Sequence, residues 1–332
     1  MKVDIIGAGS LGLLFTSKLL LALNADNESN AMSEAGKSLD HDTQISGVRL
    51  WTRTEEQARI IREEGIRIVS LEGEERTVSC PETYSFQTAK ERLISMNEKV
   101  ECLWLFVKQT HLDESFMKQL VEWPRYASKE TLVCFQNGVG HLERLRKEWP
   151  LVLAAVTTEA AKREGSNVVR RTGTGTTFIG ETSVSDEKVS GFVKNMLNLA
   201  GFQVFLSNNI EDMMFRKLVV NAVINPLTTV LSIQNGELLA TEERIQLMKL
   251  ILAEVVAVFT AAQIPIKEHE AWEQIVTVCE RTARNTSSML QDRIAGNKTE
   301  IDAITGAILR MAAQHHVQVP MQQALYRIIQ AM

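Results

Sequence analysis

The chain has 332 residues, 45% of them hydrophobic and 23% charged, with a formal net charge of −5 and a pI of about 5.8. That length suits two domains, and the composition is that of a soluble globular protein. Basic residues are mixed among acidic ones, which leaves no electrostatic case for nucleic acid or anionic lipid as a partner.

The first residues read MKVDIIGAGSLG. Val3 to Ile6 is a short apolar run of strand type, and Leu11 to Leu23 has helical character. Between them Gly7, Gly9 and Gly12 fall at G-x-G-x-x-G spacing, the strand–turn–helix fingerprint of dinucleotide binding. Gly7 permits the tight turn, Gly9 leaves room for a pyrophosphate, and Gly12 allows close packing of helix on strand. The free N–H groups at the helix start, from Ser10 and Leu11 onward, would face the phosphates. Lys2 and the apolar run after it superficially resemble a secretory leader, but Asp4 and Lys18 interrupt it and no small-residue cleavage site follows. No apolar stretch approaches the roughly 18–20 residues of a membrane span, so a cytoplasmic protein is expected.

Asn24 to Thr43 is polar and reads as an inserted, mobile surface loop, with an extension of the first helix as the alternative. Gly47 to Trp51 resumes as strand. The position after such a strand meets the adenosine ribose. Arg53 stands there rather than an acidic residue, which suits a 2′-phosphate and hence NADP. A helix is expected over Glu55 to Glu64, and a β-hairpin over Ile66 to Val78 turning at Glu72–Gly73–Glu74. A weaker helix follows around Ser85 to Ser95.

Glu101 to Val107 is a near-continuous apolar run, as expected of a central parallel strand. Lys108 sits at its carboxyl end, where ligands bind in open α/β sheets. A helix over Leu112 to Val121 precedes a buried strand, Thr131 to Phe135. Asn137 follows that strand in QNGVG, either as a plain Asn-Gly turn or as a site residue, and a helix starts at His141. Leu151 to Thr158 is another strand. Val168 to Arg171 and Thr176 to Ile179 read as a hairpin around Thr172–Gly175. A helix from Asp186 to Ala200 and a strand from Phe202 to Leu206 complete an N-terminal doubly wound, Rossmann-type α/β domain over 1–207.

Beyond Ser207 the pattern is helical: Ile210 to Val230, Glu237 to Ala262, Glu268 to Thr282, Ser287 to Ile294, Thr299 to His315 and Met321 to Gln330. This predicts an all-helical second domain over 208–332. The cysteines (Cys80, Cys102, Cys134 and Cys279) form no CxxC pair and read as buried free thiols. His315 and His316 are the one close histidine pair; helical neighbours point about 100° apart, so no metal site is expected.

Two polar clusters stand out in the helical half. Lys217, Asn221 and Asn225 recur every four residues along an otherwise apolar helix and therefore share one face, with Pro226 expected to kink or end the helix. A lysine and two carboxamides among apolar neighbours are costly unless something meets them, so the stripe reads as the lining of a polar cleft between the domains. The second cluster is SSMLQD at 287–292 with KTEID at 298–302. Ser287 and Ser288 open a helix, as plain N-caps or as donors to a carboxylate. Glu300 is open between a reciprocal cap, with Asn297 as N-cap, and a site role.

The chain resembles the ketopantoate reductase (2-dehydropantoate 2-reductase) family over nearly its whole length. The matching stretches are GAGSLG at 7–12, VKQ at 107–109, QNGVG at 136–140, FRKLVVNAVINPLT at 215–228, SSMLQD and KTEID. The segment 24–43 is longer than the family's usual link. The resemblance implies NADPH-dependent reduction of 2-dehydropantoate to pantoate, toward pantothenate and coenzyme A. It implies Lys217 as the catalytic lysine and Glu300 as the acidic partner in the substrate site. Asn221, Asn225 and Ser288 become substrate contacts, Ser288 on the carboxylate, and Asn137 lies between nicotinamide and substrate. Gly7, Gly9, Ser10, Leu11, Gly12, Arg53 and Lys108 become cofactor contacts. Competing readings are a related NADP-linked reductase of another 2-keto acid and a non-catalytic NADP-binding regulator. The apolar helices of the second domain could support a homodimer.

Overall fold

The computed structural model describes residues 2–32, 46–96, 102–122, 131–149, 151–181 and 187–332. The chain divides into two compact units. The first holds 1–107, 111–136 and 142–210; the second holds 108–110, 137–141 and 211–332.

The first unit is built on an eight-stranded sheet with the strands β1 (Lys2–Ile6), β2 (Gly47–Thr52), β5 (Thr83–Ser85), β6 (Cys102–Leu105), β7 (Thr131–Cys134), β8 (Leu151–Thr157), β11 (Thr176–Glu181) and β12 (Gln203–Leu206). Their order across the sheet is β12-β11-β8-β7-β6-β1-β2-β5. From β5 to β8 neighbours are parallel; β11 turns antiparallel to β8 and carries β12 parallel to itself. The chain proceeds from β1 toward one edge, then returns to the other side of β1 with β6. The switch point lies between β1 and β6, where doubly wound sheets bind ligands, so the expected fold class holds. A smaller sheet, ordered β4-β3-β10-β9, consists of β3 (Ile66–Val69), β4 (Glu75–Val78), β9 (Ala160–Arg163) and β10 (Val168–Gly173).

The central strands are buried on both faces, as their apolar runs require. One polar residue in that core is compensated. Asp4 and Arg49 lie opposite each other on β1 and β2, both fully buried. Arg49 donates to both Asp4 oxygens at 2.7 and 2.8 Å, and the Trp51 indole N–H adds a third bond at 2.6 Å. Burial still pushes the Asp4 carboxyl up against the pull of Arg49.

Helix α1 (Ser10–Met32) packs Leu13, Leu14, Phe15 and Leu19 into this core, and Phe15 stacks on Phe202 at 4.1 Å. The helix runs nine residues past Leu23, so Asn24 to Met32 is helix rather than loop. No Gly or Pro stands between Gly12 and Gly36 to stop it. The rest of the expected loop, 33–43, lies outside the described residues. Helix α2 (Glu55–Glu64) is capped by Thr54 and ends at Gly65. A short 3-10 turn, Phe86–Thr88, and α3 (Ala89–Met96) occupy the weaker helical stretch; α4 (Glu114–Val121), α5 (His141–Arg146) and α6 (Glu187–Leu199) follow.

The expected hairpin between 168 and 179 is not formed. β10 pairs with β9 and β3 in the small sheet, whereas β11 pairs with β8 and β12 in the large one. The true hairpin is longer: β8–β9 goes out, the chain turns at Glu164–Asn167, and β10–β11 returns. Both arms pass from one sheet to the other where the Thr-Gly-Thr-Gly segment suggested a turn. Glu159 pins that crossing, accepting from Arg171 at 2.8 and 3.0 Å and from the Gly175 N–H at 3.0 Å. A Cβ on Gly175 would meet the Thr158 carbonyl carbon at 2.2 Å, so only glycine fits. The short strands β5 and β9 carry no alternating pattern of their own and were not foreseen.

The second unit is helical: α7 (Ile210–Leu231, all but its first residue), α8 (Glu242–Ala261), α9 (Glu268–Arg281), α10 (Ser288–Ile294), α11 (Ile301–Gln314) and α12 (Pro320–Ala331). The stretch expected as one helix from Glu237 is a 3-10 turn, Asn235–Leu239, then α8 capped by Thr241. α7 continues through Pro226 instead of ending there. Proline removes one backbone donor, but Ala222, Val223, Ile224 and Leu227 are all buried and hold the helix against its neighbours. Thr228 and Thr229 hydroxyls bond the Ile224 and Asn225 carbonyls at 2.8 and 2.7 Å. Among the described residues no helix is long and apolar enough to cross a membrane, no cluster of three metal-ligating side chains occurs, and no disulfide joins the four buried cysteines.

Candidate active site

The glycine turn belongs to the first unit. Gly7 has φ +111°, and a Cβ there would meet the Val107 backbone nitrogen at 2.8 Å; its own N–H donates to the Trp51 carbonyl at 2.9 Å. A Cβ on Gly12 would fall 1.8 Å from the Gly7 carbonyl oxygen, so the first turn of α1 rests directly on the loop. Gly9 differs: a Cβ there would meet nothing within 4 Å. Two of the three glycines are therefore demanded by packing. The third borders open space at the start of α1, which fits a phosphate-bearing ligand approaching the backbone. Leu11 is half-buried in that first turn, and the Ser10 hydroxyl accepts from the Arg163 N–H at 3.1 Å. Arg53 is exposed just after β2, its guanidinium 3.4 Å from His111 Nε2. The acidic residues beyond it, Glu55 and Glu56, stand exposed in the first turn of α2, and Glu55 pairs with Arg62.

The second unit gathers the other candidates. Lys217, Asn221 and Asn225 lie one turn apart on α7; the first two are half-buried and Asn225 is buried. Glu300 is buried and occupies the N-cap position of α11, with Asn297 outside the helix. Its carboxylate makes no cap bond. Instead it accepts from Asn137 Nδ2 at 3.2 Å and from the Gln109 N–H at 3.4 Å. The reciprocal-cap alternative for Glu300 is therefore excluded, since helix and carboxylate are out of register for it. Asn137 likewise does more than turn the chain.

Lys108 donates to both oxygens of Asp292, a buried carboxylate on α10, the second contact at 2.6 Å. The structure thus sets Lys108 against a carboxylate. The two serines at the start of α10 divide the work: Ser287 is the buried N-cap, bonded to the Leu290 N–H and 2.7 Å from the Thr228 hydroxyl of α7, whereas Ser288 is exposed. Asp292, Gln109 and His141 escaped the sequence reading as site residues. Gln109 and His141 carried a weak signal, since both follow the carboxyl end of an apolar strand run.

The electrostatics set Lys217 and Glu300 apart. Burial pulls the Lys217 ammonium down to about 8, opposed by the charge of Glu300. Burial pushes the Glu300 carboxyl up; Lys108, Asn137 and the Gln109 N–H pull it back, and Asp292 adds to the rise. A lysine whose ammonium is drawn down to about 8 can donate a proton to a developing anion, and a buried carboxylate whose charge acts on it can orient a polar substrate.

A family model described as ketopantoate reductase PanE/ApbA matches residues 3–183, and one described as ketopantoate reductase PanE/ApbA C terminal matches residues 209–332. The 2-dehydropantoate 2-reductase of Bacillus subtilis strain 168 is 32% identical over 337 aligned residues, which take in all of this chain and 97% of that protein. The crystal structure of a probable 2-dehydropantoate 2-reductase from Bacillus subtilis superposes with a TM-score of 0.72 at 30% identity, covering 100% of this chain and 99% of that one. A D-mandelate dehydrogenase solved with NADH and anilino(oxo)acetate shares the fold, with a TM-score of 0.83 at 24% identity over 100% of this chain and 97% of that one. Matches spanning both units at this level of identity make the chain a member of the ketopantoate reductase family, and so an oxidoreductase.

Proposed function

We propose that this chain reduces 2-dehydropantoate to pantoate with NADPH, the step that leads toward pantothenate and coenzyme A. The observation that carries the reading is the combination of Lys217, whose ammonium burial draws down to about 8, with the buried Glu300 carboxylate, which stands at the N-cap of α11 yet makes no cap bond and accepts from Asn137 instead. Bound at the glycine turn, a nicotinamide cofactor supplies a hydride to the ketone carbon. The protein's residues handle the rest. Negative charge grows on the ketone oxygen, and Lys217 hydrogen-bonds that oxygen and gives it the proton that completes the alcohol. Asn221, Asn225 and Ser288 present neutral donors suited to the substrate's carboxylate and oxygens. Glu300 and Asn137 orient the reacting end.

Gly7, Gly9, Ser10, Leu11 and Gly12 are the cofactor cradle, and the open space at Gly9 supports it. Arg53, exposed where a ribose-reading acid would stand in an NAD enzyme, supports the 2′-phosphate. Lys108 serves as a further cation toward the cofactor only after exchanging its Asp292 partner. A homodimer through the helical unit and a cytoplasmic location complete the reading.

Absorbance at the NADPH band, followed with ketopantoate and a panel of 2-keto acids, tests it. Ketopantoate should be reduced with the highest kcat/KM; absence of oxidation with every acid contradicts an enzyme of this class. Arg53→Ala should weaken NADPH binding much more than NADH binding in a titration; equal losses refute its role as reader of the 2′-phosphate.

A further inference from the structure

The segments 108–110 and 137–141 hold more than Lys108 and Asn137. The Gln109 side-chain amide faces the Asn137 backbone carbonyl and, from the same nitrogen, lies 2.8 Å from His141 Nδ1. A carbonyl only accepts, so the Gln109 group turned toward it is its NH2, which has one proton for each partner. His141 Nδ1 must then accept, and the imidazole of that buried residue carries its own proton on Nε2. The Gln109 backbone N–H meanwhile donates to one Glu300 oxygen at 3.4 Å, and Asn137 Nδ2 donates to the other at 3.2 Å. Gly138, at φ +80°, lies so close to α11 that a Cβ would reach the Ala303 carbonyl oxygen at 2.4 Å. One residue therefore serves both donors of the Glu300 carboxylate: one is its own N–H, and the other is the Asn137 amide whose backbone it grips.

We infer that Gln109 is a positioning residue for the reaction, clamping Asn137 against His141 so that the Glu300 carboxylate is held by two donors in one orientation. The inference rests on Glu300 and Asn137 acting at the reacting end of the substrate. The requirement is for a donor, not for bulk. Gln109→Glu fills the same space but its carboxylate cannot donate to the Asn137 carbonyl; Gln109→Ala removes the group without adding charge.

Steady-state kinetics with NADPH and ketopantoate on both variants test the clamp. A mis-set carboxylate should lower kcat/KM by about tenfold to a hundredfold. Losing a donor raises the Glu300 carboxyl further, so the acid limb of kcat/KM should move to higher pH in both. Because Gln109 acts through Asn137, adding Gln109→Ala to Asn137→Ala should cost no more than about twofold beyond Asn137→Ala alone. An unmoved acid limb, or fully additive losses, overturns the inference. Hydrogen exchange on the same variants does not depend on turnover. Faster exchange over 137–141 with α8 unchanged supports the clamp, and unchanged exchange over 137–141 overturns it. A wild-type chain that oxidises no NADPH contradicts the functional reading, while the exchange result still decides the clamp.

Discussion

In the proposed reaction Lys217 is the residue on which the chemistry turns. Its position among apolar neighbours on α7 is costly, and the cost shows as an ammonium drawn down to about 8 by burial while the nearby Glu300 charge resists. A group that donates a proton works only while it holds one. The ligand-free value governs kcat/KM, so kcat/KM should stay level between the acid limb set by Glu300 and about pH 8, and fall tenfold per unit above it. A profile flat to pH 10 would mean that another group is the acid. The four-residue spacing of Lys217, Asn221 and Asn225 was legible in the sequence because helical periodicity alone sets it. From spacing alone the role of Glu300 was not, since its distance from Asn297 allowed a cap equally well, and only the family resemblance pointed to a site role. Only the three-dimensional partners, Asn137 and the Gln109 N–H, separate the two. Gln109 and His141 were illegible for a related reason: what they do depends on a contact between two loops 32 residues apart.

At the scale of elements, the strand–turn–helix at the N-terminus was readable because each glycine answers a local steric demand. The structure ranks those demands. Gly9→Ala should fold with a normal melting temperature, since its Cβ enters open space, yet bind NADPH more weakly because that space is the proposed cradle. Gly12→Ala should lower the melting temperature, since its Cβ would collide with the Gly7 carbonyl oxygen, and calorimetry on the two variants checks both. Equal melting temperatures with unchanged NADPH affinity would refute the division of roles. The elements misread from sequence failed where tertiary structure overrides local signals. TGTG suggests a turn but is the point where a long hairpin changes sheets, held by Glu159 and Arg171. Pro226 suggests a helix end, but burial of the surrounding residues carries α7 past it. A polar composition after Leu23 suggested a loop, although no helix breaker stands there.

At the scale of the whole molecule, the doubly wound class of the first unit and the helical second unit follow from the alternation of patterns along the chain, and membership of the ketopantoate reductase family follows from matches to both parts. Fold alone does not select the substrate, since a D-mandelate dehydrogenase shares it. In the proposed reaction the substrate is selected by the polar set presented by the second unit, with Lys217 at its centre. The most direct test compares wild type and Lys217→Ala for NADPH oxidation by ketopantoate at saturating concentrations of both. Turnover by the wild type and a kcat at least about 100-fold lower in the variant, with NADPH affinity unchanged, are expected if Lys217 gives the ketone oxygen its proton; a variant kcat close to that of the wild type would contradict that role.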